Sequence, residues 1–269
     1  MNILRKSKSL MNKVRLMIIK SGSLEHQAHG FCTRVGGVSQ GCYRTLNCSL
    51  GSGDDRAAVL ENRRRAMCKM GLQNLGLVTC SQIHGTGVLR ITETGVVGDP
   101  NASDALVTNQ SGTAVGVLTA DCAPVLMVDQ KMGVVAAVHA GWRGALKGVV
   151  ETAIGAMKDL GADKANIKAA IGPCIGPDSY EVGPEFPRQF EVSEFDISAF
   201  FKDSMRREHY LFDLGGYVEK RLEIIGVGRI DRSPVDTYKD YKNCFSFRRS
   251  RHRSEPDYGR SLSVIAACS

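Results

Sequence analysis

The stretch Thr119-Ala-Asp-Cys-Ala-Pro-Val-Leu-Met-Val-Asp-Gln-Lys-Met-Gly-Val-Val-Ala-Ala-Val-His-Ala-Gly-Trp-Arg-Gly144 decides how the chain is read. An apolar run, a polar turn and a second apolar run make a β-hairpin, with reactive side chains at its open end. If Val128 pairs with Gly133 around the loop Asp129 to Met132, Cys122 falls opposite His139 on the same face. Directly paired residues have Cβ atoms roughly 4.5–5.5 Å apart, a separation that suits two ligands of one metal ion. A thiolate and an imidazole placed this way read as half of a zinc site. A bulge at Gly133 would slip the register by one and break the pairing.

Around the hairpin, strands alternate with helices. Phe31-Cys-Thr-Arg-Val-Gly-Gly-Val-Ser39 reads as a strand entering a glycine loop. Asp54 to Gly71 reads as a helix with an acidic N-cap and a glycine stop. Leu75 to Ile83 is an expected strand delivering His84, and Asp104 to Thr108 and Ala114 to Leu118 are two more. Leu146, Val149, Val150, Ala153, Ile154, Met157 and Leu160 recur at helical spacing, with Gly161 as the stop. Ile167 to Ile171 is a strand, Gly172 to Pro177 a turn, and Asp213 to Ile225 a helix closed by Gly226. With no repeat or Pro/Gly-rich linker, one mixed domain over residues 25–269 is the economical reading.

The composition excludes several classes. A hydrophobic share of 43% and a charged share of 23% are ordinary for a globular enzyme. Nine cysteines, an odd number with no Cys-x-x-Cys pair, argue for free thiols in a reducing compartment. A cytoplasmic location follows as an expectation, since no stretch approaches a membrane span and Leu16 to Ile19 is too short for a secretory signal. The net charge of +7 is concentrated in two places. Arg5, Lys6, Lys8, Lys13, Arg15 and Lys20 make residues 1–24 an expected disordered tail, much of which a start at Met11 or Met17 would remove. Arg248-Arg-Ser-Arg-His-Arg253 forms the second cluster. Neither is interleaved with aromatics, so nucleic acid is not the expected partner.

A catalytic zinc site takes three protein ligands and leaves one position open. Of the six histidines, His84 is the best third ligand, because it follows an apolar strand and adjoins Gly85. His84, Cys122 and His139 form an N2S set suited to zinc and acceptable to copper. The plainer alternative is three polar residues satisfied by hydrogen bonds. Asp121 reads either as a partner or proton acceptor near a metal-bound water, or as a turn aspartate. Gly141-Trp-Arg-Gly144 leads into a helix, whose N-terminus beside Arg143 could receive a phosphate. Trp142 offers a stacking surface or ordinary packing. Cys174, in the Gly-Pro-Cys-Ile-Gly-Pro turn, is a rival nucleophile or a structural thiol.

From Gly30 onward the sequence resembles the YfiH-like family, also called polyphenol oxidases or laccase-domain proteins. The resemblance rests on Phe31 to Ser39, Leu46-Asn47, Glu61-Asn-Arg63, Gln82-Ile-His-Gly85, Ala120-Asp-Cys122, Val138 to Gly144, Ile171 to Gly176, Tyr180-Glu-Val182, Phe245-Ser-Phe-Arg-Arg249 and Gly259-Arg260. It implies an α+β domain with sheets layered between helices and zinc ligands at His84, Cys122 and His139. It also implies phosphorolysis of adenosine, inosine, guanosine or methylthioadenosine, and deamination of adenosine. Within these motifs Arg34, Asn47, Gln82, Arg143, Phe247 and Arg248 are the expected substrate-binding residues, with Arg34, Arg143 or Arg248 holding phosphate. Two departures stand out: Asp236-Thr237 replaces the family's Cys-Thr, and Ser250 to Tyr258 is longer and more basic than usual.

Three rival functions remain open at this level. In a copper oxidase, a blue-copper centre at the trio would leave four scattered histidines for a trinuclear cluster, with no His-Cys-His run to couple them. A metal-free cysteine hydrolase would use Cys122 as nucleophile and His139 as base. A nucleic-acid adaptor would use the basic clusters instead of the trio.

Overall fold

The computed structural model describes residues 17–193 and 195–267. Its centre is the hairpin read from the sequence: Ala123–Asp129 and Val134–Ala140 pair antiparallel and are buried along their whole length. The register differs from the expected one. Asp129 pairs with Val134 and Pro124 with His139, so Cys122 lies beyond the last pair and diagonal to His139. The turn explains the difference. Gly133 adopts φ 67°, which places it in the turn, and Asp129 Oδ1 accepts hydrogen bonds from the N–H groups of Lys131 and Met132 at 3.0 and 3.3 Å. The displacement is two residues, and a shift of two preserves the face. Cys122 and His139 still share a side of the sheet.

The hairpin lies inside a seven-stranded mixed sheet, in the order Arg229–Arg232, Lys168–Ile171, Ala123–Asp129, Val134–Ala140, Ala105–Thr108, Val88–Thr92, Gly95–Val97. A five-stranded sheet runs Ile18–Ile19, His29–Cys32, Ser261–Ala266, Thr113–Thr119, Gly76–Val78. A small third sheet joins Glu181–Val182, Tyr210–Phe212 and Phe201–Asp203. The helices are α1 (Arg56–Met70), α2 (Trp142–Lys147), α3 (Val149–Asp159), α4 (Leu214–Ile225) and α5 (Phe247–His252).

The two large sheets pack face to face. Leu89, Leu106, Leu126 and Val128 meet Phe31, Val115, Val117 and Ile265 in one buried cluster. Ala66, Met67 and Met70 of α1 cover the outer face of the five-stranded sheet, against Cys32, Ala114 and Val264. On the opposite side, Val150, Ala153 and Ile154 of α3 and Val218 and Leu222 of α4 cover Val125, Met127 and Ala136. The result is the α+β domain of mixed sheets layered between helices. The hairpin strands read as unbroken apolar runs because both their faces are covered.

Several boundaries follow their caps. Asp55 accepts from the Ala57 N–H at the start of α1, and Gly71 ends it at φ 77°. Asp213 and Gly226 do the same for α4. The single helix expected through Leu146 to Leu160 is instead two, because Gly148 takes φ 91° and closes α2 before α3 begins. The strand expected over Leu75 to Ile83 shortens to Gly76–Val78. The tail is also shorter than expected: Ile18–Ile19 pairs with Phe31 and Cys32, and Leu24 is fully buried. The rest of the expected tail, residues 1–16, lies outside the described residues. The eight described cysteines are all free thiols.

Candidate metal centre

Two segments cross from one large sheet to the other at the same end of the sandwich. One leaves Gly76–Val78 of the five-stranded sheet, carries His84, and enters Val88–Thr92 of the seven-stranded sheet. The other leaves Thr113–Thr119, carries Cys122, and enters Ala123–Asp129. His139, near the end of Val134–Ala140, completes the group. One ligand atom from each of His84, Cys122 and His139 lies within 4.8 Å of the others. Cys122 Sγ is 3.8 Å from His84 Nε2, close to the roughly 3.6 Å that two such donors span on one tetrahedral zinc. His84 is exposed whereas His139 is buried, so the group opens to solvent on one side. The donor set fits a metal ion.

Asp104 holds this geometry together. Its fully buried carboxylate lies 2.7 Å from His139 Nδ1. It also accepts the consecutive N–H groups of Ile83, His84 and Gly85 at 3.1, 2.9 and 2.7 Å. A proton held on Nδ1 by this carboxylate leaves the lone pair of the neutral ring on His139 Nε2, free to bind a metal ion. The three amide bonds hold His84 at φ 59°, a conformation uncommon outside glycine. One carboxylate thus orients one histidine through its ring and the other through its backbone. Although burial pushes the Asp104 pKa up, His139 and the Gly85 and Ile83 amides hold it below the ordinary range.

The charges at the trio reinforce one another. Burial raises the Cys122 thiol pKa, but facing His139 and bonding to both imidazoles bring it down to about 6. Burial pushes His139 down, yet Cys122 and Asp104 lift it to about 9. Space is equally constrained. A Cβ at Gly141 would meet His84 Cδ2 at 2.7 Å and Cys122 Sγ at 3.2 Å, and one at Gly144 would meet the Gly85 carbonyl oxygen at 2.8 Å. This accounts for both glycines of the His-Ala-Gly-Trp-Arg-Gly run.

Asp121, read above as a partner or proton acceptor or else as a turn aspartate, sits in a hydrogen-bond network. Its Oδ1 accepts from Thr237 Oγ1 at 2.7 Å; its Oδ2 accepts from Ser246 Oγ at 3.0 Å and the Arg248 N–H at 2.7 Å. Both oxygens are engaged, and burial raises the carboxyl pKa. Asp121 clamps the start of α5 to the Cys122 turn, its own backbone lying at φ 91°.

The trio lines a cavity of about 740 Å³, within the range of small-molecule sites. Arg63, Arg143, Arg248 and Arg260 line it together with Gln82, Trp142, Tyr180, Phe247 and Tyr258. Of the expected substrate residues, Gln82, Arg143, Phe247 and Arg248 are therefore brought to the trio. Gln82 also pairs with the Leu118 backbone through both ends of its amide, at 2.7 and 2.8 Å. Trp142 packs 4.7 Å from Phe186, the ordinary packing role, and Arg143 lies 4.1 Å over its ring.

Asn47 and Arg34 do not reach the cavity. Asn47 is fully buried, donates to Ser52 and Asp54, and accepts from the Ser49 and Arg260 N–H groups, which makes it an organiser of the adjoining loop. Arg34 lies over Phe245 in a separate cavity. Cys174 is buried, and that burial pushes its thiol up to about 12, so it is the structural thiol of the two readings. Asp104, Arg63 and Arg260 were missed as site residues. Asp104 looked like the first residue of an ordinary strand, whereas Arg63 and Arg260 lay in motifs already matched.

Comparison with known proteins places the chain in a family and agrees with its fold. A sequence model described as multi-copper polyphenol oxidoreductase laccase matches residues 28–268. The chain belongs to this YfiH-like, laccase-domain family. It is 38% identical over 222 residues to "Purine nucleoside phosphorylase YfiH" of Shigella flexneri, covering 81% of this chain and 87% of the relative. The crystal structure of Neisseria meningitidis protein NMB0706 superposes with a TM-score of 0.80 at 30% identity, over 94% of this chain and 99% of that one. The structure of YlmD from Geobacillus stearothermophilus gives 0.81 at 27% identity, over 93% and 94%.

Proposed function

We propose that this chain is a zinc-dependent purine nucleoside enzyme that carries out phosphorolysis of adenosine, inosine, guanosine or methylthioadenosine, and deaminates adenosine. The carrying observation is the His84, Cys122 and His139 group in the wall of a cavity lined by four arginines. Two nitrogens and a thiolate favour zinc among the metals that accept such a set, with copper the next best fit. Zinc held there supplies Lewis acidity, the property that activates water against purine C6.

In phosphorolysis, a phosphate oxygen forms a bond to the ribose C1′ while the bond from C1′ to the purine nitrogen breaks. The leaving base takes up a proton, and a ribose phosphate remains. Four cationic side chains in one cavity suit a phosphate dianion. Arg248 is positioned by the Asp121 clamp and by its Nη1 bond to the Glu181 carbonyl at 2.6 Å. Arg63 is anchored by the Cys48 carbonyl at 2.8 Å. The aromatic walls at Trp142, Tyr180, Phe247 and Tyr258 suit a planar base.

The test is product analysis on inosine with and without phosphate. Hypoxanthine and ribose phosphate in equal amounts, formed only with phosphate, support the reading. Free ribose formed without phosphate contradicts it.

One observation favours a second reading. Cys122, His139 and Asp104 form a nucleophile, base and orienting carboxylate, the arrangement of a cysteine hydrolase. Stoichiometric metal on Cys122 would remove that reading. A multi-copper oxidase is less well supported: among the described residues one group of this kind is present, and His29 is already bonded to the Ser21 amide and the Gln27 carbonyl.

A further inference from the structure

A second cavity, of about 390 Å³, lies on the far side of Tyr258, which lines both. Five cationic side chains line it, Arg34, Arg44, Lys242, Arg249 and Arg253, against the single carboxylate of Glu255. None of the five forms an ion pair among the described residues.

Two of these arginines form a fixed floor. The Arg34 Nε and Nη1 groups donate to the Arg44 and Tyr241 carbonyls at 2.8 and 3.2 Å, with Phe245 beneath the guanidinium. Arg249 is buried and donates to the carbonyls of Thr237, Tyr238 and Cys244. The rim is different: Arg44, Lys242 and Arg253 are exposed, and their side chains make no hydrogen bond among the described residues. The Arg34 pKa is lowered first by burial and then by Arg249, Arg44 and Arg253, with Glu255 opposing them. Like charges so crowded leave a standing repulsion that a bound anion would relieve.

We propose that this cavity is a binding site for a small diphosphate-bearing anion, separate from the metal trio. The charge excess decides the class. With Glu255 in the cavity and the Asp121 carboxylate acting on Arg249, three of the five positive charges stay unbalanced. A carboxylate or a lone phosphate would leave part of that surplus, whereas a diphosphate matches it more closely and offers oxygens to the exposed Arg44 and Arg253 guanidinium forks. A concave site of this size favours a compact anion over a nucleic-acid backbone, which would track an open groove. The proposal does not depend on phosphorolysis at the trio.

The test is calorimetric titration of inorganic pyrophosphate into the wild-type chain and into the Arg44→Ala/Arg253→Ala double variant, in a buffer free of phosphate. The expected result is binding to wild type that weakens at least about tenfold in the double variant, while inosine turnover is unchanged. Lys242→Ala, at another exposed position, should weaken binding in the same direction and guards against a folding defect in the double variant. Absence of pyrophosphate binding to wild type would overturn the proposal. So would equal affinity in the wild-type and variant proteins, which would place the ligand in the catalytic cavity. A repeat with ADP separates the sources: affinity at or above that of pyrophosphate identifies a nucleotide, and lower affinity identifies free diphosphate. Single-stranded RNA that binds and is not displaced by pyrophosphate would overturn the proposal in favour of a nucleic-acid surface.

Discussion

At the scale of single residues, two buried aspartates divide the work around Cys122. Asp104 accepts from the His139 ring and from three amides around His84, so it sets the direction of two metal-ligand candidates at once. Asp104→Asn should lower metal affinity or turnover roughly 10- to 100-fold, because an amide facing Nδ1 disturbs the histidine tautomer. Metal titration alongside kinetics checks this; unchanged affinity and rate would mean the ring is held by other contacts. Asp121→Asn should behave differently. It should cost about 1–3 kcal/mol of stability through weakened buried hydrogen bonds while metal content stays at the wild-type level. Denaturant unfolding and metal analysis read the two effects. If Asp121 were instead the general base, turnover would fall by roughly 10²–10⁴ with stability unchanged. The metal trio was legible in the sequence because its residue types are uncommon, Cys122 and His139 flank one hairpin, and His84 adjoins Gly85 at the end of an apolar run. Asp104 was not, since a carboxylate that serves backbone amides has no spacing signature.

At the scale of elements, caps and turns decide what periodicity leaves open. The apolar rhythm from Leu146 to Leu160 continues straight through Gly148, because α2 and α3 bury neighbouring faces against one core. Only the left-handed backbone at Gly148 shows that the helix has ended and restarted. Gly148→Ala should therefore destabilise the fold by roughly 1–2 kcal/mol, the reverse of alanine's usual effect in a helix. Chemical denaturation gives the sign, and a stabilised variant would mean the two helices can merge. The hairpin shows the same limit. Its two strands were evident from their apolar runs, but the register depended on the side-chain bonds of Asp129 and the φ of Gly133. The shift of two residues replaced a direct pair with a diagonal one and kept the chemistry on one face.

At the scale of the whole molecule, the site exists because two sheets share a mouth. His84 and Cys122 ride on the two crossings between the sheets, and His139 lies near the end of a strand beside them. The sequence revealed the hairpin strands, Ala105–Thr108, Thr113–Thr119 and Lys168–Ile171, but not Val88–Thr92, Gly95–Val97 or Arg229–Arg232. Nor did it show the division into two sheets, since strands covered on both faces lack the alternation that marks a surface. The strand Ser261–Ala266, buried between His29–Cys32 and Thr113–Thr119, went unread for a related reason: it pairs only with distant segments. The cavity arginines likewise come from remote parts of the chain, Arg63 on α1 and Arg260 just before the last strand. The two basic regions noted in the sequence also part company here. Arg249 and Arg253 belong to an ordered cavity, while most of the N-terminal charges lie outside the described residues.

The central claim is that Cys122 serves as a metal ligand in a nucleoside enzyme. Metal content measured by elemental analysis on wild type and Cys122→Ala, with inosine turnover in phosphate on the same preparations, tests it most directly. The account predicts one zinc per wild-type chain, with metal and turnover lost together in the variant. Turnover by wild-type protein that carries no metal would contradict it and assign Cys122 the part of a nucleophile.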